Sequence, residues 1–213
     1  MYVKNKMTAN PYTISPDASI IDAVELMKEK NLRRLPVVKN GKVEGILTKN
    51  DLQQVSPTKA TSLSIFEINY LLSKTTVKDA MTRETVTISP DSLLEEAAVI
   101  MRNKKIGILP VVENGVIIGV ITESDILDAF IDILGFKSSG SRITIETKDV
   151  PGALAEIAGI FKGCESNITH IVAYRNVDKS YDVIRTDSSD TDEIEKQLLD
   201  HGYRIEHILK SAK

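Results

Sequence analysis

The chain has 213 residues, 42% of them hydrophobic and 27% charged, which suits one large or two to three small globular domains. Its formal net charge of -3, without a basic stripe, argues against direct contact with nucleic acid. The longest apolar run, Gly115 to Ile121, is far shorter than the ~18 residues that span a bilayer, and the single cysteine, Cys164, excludes an internal disulfide. We therefore expect a cytoplasmic protein that contacts neither nucleic acid nor membrane.

An internal repeat organises the first 135 residues. Shifting the sequence by 74 positions aligns Met7-Thr8 with Met81-Thr82, Thr13–Asp17 with Thr87–Asp91, Leu35–Val38 with Leu109–Val112, Asn40-Gly41 with Asn114-Gly115, and Gly45, Thr48 and Asp51 with Gly119, Thr122 and Asp125. The alignment needs no gap, so the two segments are predicted to be copies of one unit. One copy is too small to bury a core alone, and we expect the two to pack face to face about a pseudo-twofold axis.

Each copy is predicted to contain a helix, a β-hairpin and a second helix. Apolar residues at helical spacing mark the first helix: Ile20, Ile21, Val24 and Met27 in one copy, and Leu93, Leu94, Ala97 and Met101 in the other. Two short strands, 35–38 and 43–47, flank Asn40-Gly41, which is a strong hairpin signal. The second helix is predicted to begin at Thr48 and Thr122. Ser62 to Leu72 predicts a helix within a linker, 57–75, between copies at 1–56 and 76–135.

Thr-x-x-Asp occurs at the start of the second helix in both copies, as Thr48-Lys49-Asn50-Asp51 and Thr122-Glu123-Ser124-Asp125. A strand that leads into a helix leaves backbone N–H groups free to bind phosphate. The aspartate can accept hydrogen bonds from ribose hydroxyls, and the threonine hydroxyl can reach a phosphate or sugar oxygen. The same pattern is also a capping box, which satisfies free N–H groups of the helix. We favour ligand binding, with capping as the alternative.

The whole repeat resembles the CBS-domain pair, or Bateman module, over residues 3 to about 135. The resemblance implies a regulatory module that binds an adenine nucleotide (AMP, ADP or ATP) or S-adenosylmethionine, and that needs no cofactor. It also implies two clefts, each combining the Thr-x-x-Asp motif of one copy with two segments of the other. The first cleft would contain Tyr12, Thr13, Arg33, Arg34, Pro36, Thr122, Ser124 and Asp125; the second would contain Thr48, Asn50, Asp51, Val86, Thr87, Gly107, Ile108 and Pro110.

Arg33 and Arg34 distinguish the two predicted clefts. Guanidinium groups hold phosphate oxygens in a charge-assisted, forked geometry. Gly107 and Ile108 stand at the corresponding positions of the second copy and cannot do so. We therefore expect the first cleft to bind the charged nucleotide, and the second to take an uncharged adenosyl group or no ligand. The alternative is that the two arginines are a solvated surface pair.

After Gly140 the pattern changes to a β-α-β-β-α-β order. The predicted elements are a strand at Arg142–Thr147 that alternates like a half-buried strand, a helix that opens within Asp149–Leu154, strands at Ile168–Tyr174 and Tyr181–Thr186, a helix near Asp192–Asp200, and a strand at Tyr203–Leu209. Asp149 is the predicted N-cap of the first helix, and one face of that helix is predicted to carry Leu154, Ile157, Ala158 and Phe161. With Pro151-Gly152 before the first helix, residues 141–213 resemble the ACT domain, a ferredoxin-like fold. The predicted fold class is thus α+β, a tandem CBS pair plus an ACT domain.

The ACT resemblance implies amino-acid sensing or dimerisation. The implied ligand positions are Thr147, Asp149, Gly152 and Asn167, and Thr147 stands where serine-binding members carry histidine. A plain helix cap is the alternative role for Asp149.

The order CBS, CBS, ACT resembles acetoin-utilisation (AcuB-type) proteins. It implies a non-catalytic homodimeric regulator of a partner that the sequence does not identify. A dimerisation scaffold without ligand is one alternative. An enzyme is the other, but the sequence contains no catalytic triad, Walker loop, metal cluster or Rossmann glycine pattern.

Overall fold

The computed structural model describes residues 1–55, 74–176 and 179–211. The chain divides into two compact units, residues 1–127 and 128–213, and the helix Glu123–Ile133 contributes residues to both. The linker helix predicted from Ser62 to Leu72 lies outside the described residues.

The first unit contains two copies of one arrangement. Its elements are a 3₁₀ turn (Val3–Asn5), β1 (Thr8–Ala9), α1 (Ile20–Glu29), β2 (Arg34–Lys39), β3 (Lys42–Thr48), α2 (Lys49–Val55), α3 (Val77–Ala80), α4 (Leu94–Lys104), β4 (Ile108–Glu113), β5 (Val116–Thr122) and α5 (Glu123–Ile133). The helices and hairpins predicted for both copies within the described residues are therefore confirmed.

The two hairpins are equivalent down to the backbone. Asn40 and Gly41 have φ of 53° and 78°, and Asn114 and Gly115 have φ of 50° and 79°. Positive φ at both central residues defines a type I′ turn, whose twist matches that of the flanking strands. Each hairpin also carries an irregularity in register at the same repeat position, between Val37 and Val38 in the first copy.

The buried face of the first helix differs by one position from the predicted face. Ile20, Ala23 and Met27 are buried in α1, whereas Val24 is 44% exposed. A face centred on positions 20, 23 and 27 leaves position 24 at its edge, where the Val24 side chain is partly exposed. In the second copy Leu93 is likewise exposed, because it is the N-cap that precedes α4.

The two copies exchange short strand segments. β1 pairs with β5 of the second copy, with Thr8 opposite Val120 and Ala9 opposite Gly119. In return, Thr82 pairs with Ile46 of β3 in an isolated bridge, closed by hydrogen bonds of 2.9 Å in both directions. Each copy therefore completes the hairpin sheet of the other.

Glycines make this exchange sterically possible. A Cβ atom on Gly45 would lie 2.6 Å from Met81 Sδ and 2.7 Å from the Thr82 carbonyl oxygen. At the equivalent Gly119, it would lie 2.7 Å from the Met7 sulfur. Because the obstacle at position 45 includes backbone, the chain has to move if a side chain is added.

We predict that Gly45→Ala lowers the free energy of unfolding by about 1–3 kcal/mol, since overpacking forces backbone shifts. Gly159→Ala is the control, because Gly159 lies in a helix with nothing within 4 Å of its added Cβ, and there alanine should be neutral or stabilising. Urea unfolding measures both, and equal stability of the two variants would contradict the steric account.

The second unit has the predicted β-α-β-β-α-β order. After the end of α5 it contains β6 (Gly140–Thr147), α6 (Ala153–Gly163), β7 (Ile168–Asn176), β8 (Lys179–Thr186), α7 (Asp192–Asp200) and β9 (Arg204–Ser211). The four strands form an antiparallel sheet in the order β7-β8-β6-β9, as in ferredoxin-like folds. Both helices pack on one sheet face around a core that includes Ile143, Ile145, Ile157, Phe161, Ile184, Ile194 and Leu198.

Asp149 is not the N-cap of α6, contrary to the prediction. The helix begins at Ala153, and Gly152, with φ of 92°, occupies the cap position. The turn at Pro151-Gly152 separates Asp149 from the helix, and its carboxylate instead pairs with Arg175 at 2.7 Å. Leu154, expected on the buried face, is 48% exposed.

Candidate functional site

Thr48 and Asp51 form a capping box. The Thr48 backbone N–H and hydroxyl donate to Asp51 Oδ2 at 2.7 and 2.8 Å, and the Asp51 N–H donates to the Thr48 hydroxyl at 3.2 Å. Thr122 and Asp125 repeat the three bonds at 2.7, 2.7 and 3.4 Å. Both threonines therefore cap their helices, each aspartate accepts from the cap residue in return, and the aspartate Oδ1 atoms take no part in these bonds.

Both copies contribute to one cavity of about 510 Å³, a size that is typical of small-molecule sites. Its walls come from the start of β2, the junction of β3 and α2, the segment 82–86, and the segment that precedes β4. Of the residues predicted for the two clefts, it is lined by Arg33, Arg34, Thr48, Asn50, Val86, Gly107 and Ile108. The other predicted residues, Tyr12, Thr13, Pro36, Asp51, Thr87, Pro110, Thr122, Ser124 and Asp125, do not line it.

The cavity groups Arg33 and Arg34 with Thr48, whereas the prediction grouped them with Thr122. The hairpin register is the reason: Arg34 lies directly opposite Thr48, so the start of β2 and the start of α2 share one end of the hairpin. In the second copy, Ile108 lies opposite Thr122 in the same way. The type I′ turn at Asn40-Gly41 could have indicated this pairing from sequence.

The remaining predicted segments lie beside the hairpin of their own copy. The Ile14 N–H donates to the Pro36 carbonyl at 3.1 Å, which places the segment containing Tyr12 and Thr13 along β2. The equivalent bond from Ile88 to Pro110, at 3.0 Å, places Val86 and Thr87 along β4. The Tyr12 ring itself lies under Lys30 Nζ, 5.3 Å from its centroid.

The Arg34 side chain crosses from the first copy to the second. Its Nη1 donates to the Gly107 carbonyl at 3.2 Å, and its Nη2 lies 3.8 Å from Glu123 Oε2. Glu123 is the first residue of α5 and follows Thr122 directly. Arg34 therefore contacts the Thr122 helix while it lines the cavity beside Thr48.

Sequence reasoning missed several charged residues of the cavity. Lys49, Lys105 and Glu84 line it together with Arg33 and Arg34. Lys49 lies within the Thr-x-x-Asp motif, and its position next to Thr48 was an available signal. Lys105 and Glu84 lie in connecting segments whose course depends on how the two copies pack, so no local pattern marks them.

In the second unit, Thr147 and Asp149 line a cavity of about 480 Å³ together with Asp182. Thr147 and Gly152 line an adjacent cavity, whereas Asn167 lines a third. The structure thus brings Thr147, Asp149 and Gly152 close together and leaves Asn167 elsewhere. Asp182 is buried, and this burial raises the pKa of its carboxyl against the opposing effect of a hydrogen bond from Thr147.

We predict that Asp182→Asn gains stability relative to the native protein as the pH rises. A raised pKa means that the folded protein still holds the Asp182 proton where the unfolded chain, with its ordinary pKa of 3.8, has lost it. Stability from this group is therefore complete below 3.8 and is lost as the pH rises through the folded-state pKa. Urea unfolding at pH 3.5 and pH 7 measures the free energy of unfolding of Asp182→Asn minus that of the native protein, with exposed Asp128→Asn as control. If this quantity falls from pH 3.5 to pH 7, the assignment is contradicted.

Comparison with known proteins places the repeat in a family. The family model for the CBS domain matches residues 3–57 and 77–132. The chain belongs to the CBS-domain family. The two matched segments contain the two hairpins and the two Thr-x-x-Asp motifs, so the CBS pair comprises both walls of the 510 Å³ cavity.

The CBS pair resembles many solved structures, among them the following three. A Vibrio cholerae protein assigned to acetoin utilization (AcuB) is 30% identical, with a TM-score of 0.54, over 64% of this chain and 95% of that one. CBSX2 in complex with AMP is 30% identical, with a TM-score of 0.52, over 62% of this chain and 97% of that one. The CBS pair of protein MJ0100 is in complex with 5′-methylthioadenosine and S-adenosylmethionine. It is 27% identical, with a TM-score of 0.51, over 65% of this chain and 98% of that one.

Two negative findings concern the described residues alone. Within 1–55, 74–176 and 179–211, no helix combines the length and the hydropathy of a membrane-spanning segment. Over the same ranges, no three His, Cys, Asp or Glu side chains come together in a group that could hold a metal ion.

Proposed function

We propose that the CBS pair is a non-catalytic sensor that binds an adenine nucleotide, or another adenosyl compound, in the cavity between its two copies. The observation that supports this most directly is that both copies build the cavity and that Arg34 spans them. Structures similar to this chain hold AMP, 5′-methylthioadenosine and S-adenosylmethionine, which share an adenosyl group.

The cavity lining suits the parts of such a ligand. Ile46, Val86 and Ile108 supply apolar surface for a purine ring, and Thr48 and Asn50 supply hydrogen-bonding groups for a sugar. The cationic side chains that line the cavity can bind phosphate oxygens; they are Arg33, Arg34, Lys49 and Lys105. A ligand that contacts both copies favours the arrangement of the copies that fits it best, which is how binding would be signalled to a partner protein.

We predict that AMP raises the melting temperature of the protein, because a ligand that binds only the folded state stabilises it, by about 2.7 kcal/mol at a concentration 100 times its Kd. Arg34→Ala should reduce this shift. Arg102→Ala is the matched control, since Arg102 is exposed on α4 and does not line the cavity. Differential scanning fluorimetry with AMP, 5′-methylthioadenosine and S-adenosylmethionine tests the proposal, and no shift with any of them would favour a scaffold without ligand.

We further propose that residues 141–213 form an ACT domain that binds a free amino acid. Arg175, Asp149 and Asp182 line one cavity, and Arg175 and Asp149 form an exposed ion pair there. A zwitterion would replace this pair, because its carboxylate can bind the Arg175 guanidinium and its ammonium can bind the Asp149 carboxylate. The CBS–CBS–ACT order and the likeness to an AcuB-type structure support a cytoplasmic homodimer that regulates a partner in acetoin utilisation.

We predict that a free amino acid binds with micromolar to millimolar affinity and that Arg175→Gln abolishes this binding. Lys196→Gln is the control, because Lys196 is exposed on α7 and lines neither this cavity nor the adjacent one. Isothermal titration with the twenty amino acids tests it. A dimer by sedimentation that binds no amino acid would leave dimerisation as the role of this unit.

A further inference from the structure

The charged residues at the cavity break the symmetry of the repeat. The first copy carries Arg33, Arg34 and Lys49, and the second copy carries Gly107, Ile108 and Glu123 at the three corresponding positions. The backbone of the two hairpins is nevertheless equivalent. Three cations therefore lie at one end of a symmetric framework, and the equivalent positions at the other end hold no cation.

Lys105 of the second copy adds a fourth cation to the same cavity. Glu84 is the one carboxylate among the described lining residues, which leaves a formal excess of three positive charges in a chain whose net charge is -3. No described carboxylate lies within ion-pair distance of Arg33, Lys49 or Lys105. Like charges that converge on one cleft raise the local concentration of anions, and of polyanions most.

Arg34 is held by a hydrogen bond to the Gly107 carbonyl at 3.2 Å and by a weak ion pair with Glu123, and a ligand can replace the ion pair. Its ion pair with Glu123 is 3.8 Å long, and the two side chains are 34% and 60% exposed, so the pair contributes little. A phosphate can offer two parallel hydrogen bonds to the same guanidinium. Gly107 lies beneath this pair, and a Cβ there would meet both Arg34 and Glu123, so a side chain at 107 would exclude the pair.

We propose that the cavity selects a nucleotide with two or more phosphates, and that Glu123 sets its affinity by competing with those phosphates for Arg34. This inference rests on the proposed function and narrows its ligand. One phosphate cannot engage four cations at once, whereas a di- or triphosphate can extend along them. Glu123 is a specificity-determining residue that acts through Arg34.

Isothermal titration of the full-length protein without divalent cations tests the selectivity. We expect affinity to rise from 5′-methylthioadenosine through AMP and ADP to ATP, with ATP about tenfold or more tighter than AMP, because each added phosphate brings further charge-assisted hydrogen bonds to these cations. The preference should weaken as salt is added. Equal affinities for AMP and ATP, or tighter binding of AMP, would overturn the selectivity.

Two charge-neutralising variants test the role of the charges. Glu123→Gln should tighten ATP about threefold to tenfold and leave 5′-methylthioadenosine unchanged, because that ligand has no phosphate to compete for Arg34. Exposed Glu95→Gln is its control. Lys49→Gln should weaken ATP about tenfold, with exposed Lys42→Gln at the far end of the hairpin as control. If Glu123→Gln changes the affinity for ATP no more than Glu95→Gln does, the proposed competition for Arg34 is wrong.

Inorganic tripolyphosphate separates this inference from the proposed function. If adenosyl compounds bind but phosphate number has no effect, the inference is wrong and the proposed function stands. If tripolyphosphate binds with the same response to Glu123→Gln while no adenosyl compound binds, the nucleotide assignment is overturned and the competition for Arg34 is supported. If neither class binds, both are overturned.

Discussion

The close approach of two backbones at Gly45 and Gly119 is the constraint on which the CBS pair depends. At each glycine, the segment that precedes the opposite copy lies where a side chain would be, with Met81 and Thr82 against Gly45 and Met7 against Gly119. Since each copy supplies a strand segment to the sheet of the other, neither completes its sheet alone. A cavity with walls from both copies follows from this exchange.

A symmetric backbone with asymmetric charge gives the pair two different ends. The Thr-x-x-Asp capping boxes are nearly identical in the two copies, so they serve the helices equally and do not distinguish the ends. The distinction comes from the residues around them: Lys49 follows Thr48 in one copy, and Glu123 follows Thr122 in the other. Arg34 joins these two environments, because it lines the cavity and also contacts Glu123.

Local signals in the sequence predicted most of the fold. The Asn-Gly turns and the alternation of 142–147 each act over a few residues, the gapless repeat predicts that the two copies share one arrangement, and the structure has the corresponding hairpins and sheet. The prediction of Asp149 as a helix cap was wrong, because the Pro151-Gly152 turn lies between Asp149 and the helix. The pattern of polar residues does not show how far such a turn displaces the start of a helix. The contacts of Arg34 with Gly107 and Glu123 depend on long-range packing, which no spacing in the sequence encodes.

Sensing by the CBS pair requires that one ligand contacts both copies in the same cavity. Hydrogen–deuterium exchange of the whole 213-residue chain, with and without a saturating adenine nucleotide, measures this contact. We expect slower exchange in 46–53 of the first copy and in 105–108 of the second at the same ligand concentration. Protection confined to one copy, or found in 140–211 alone, would contradict this expectation.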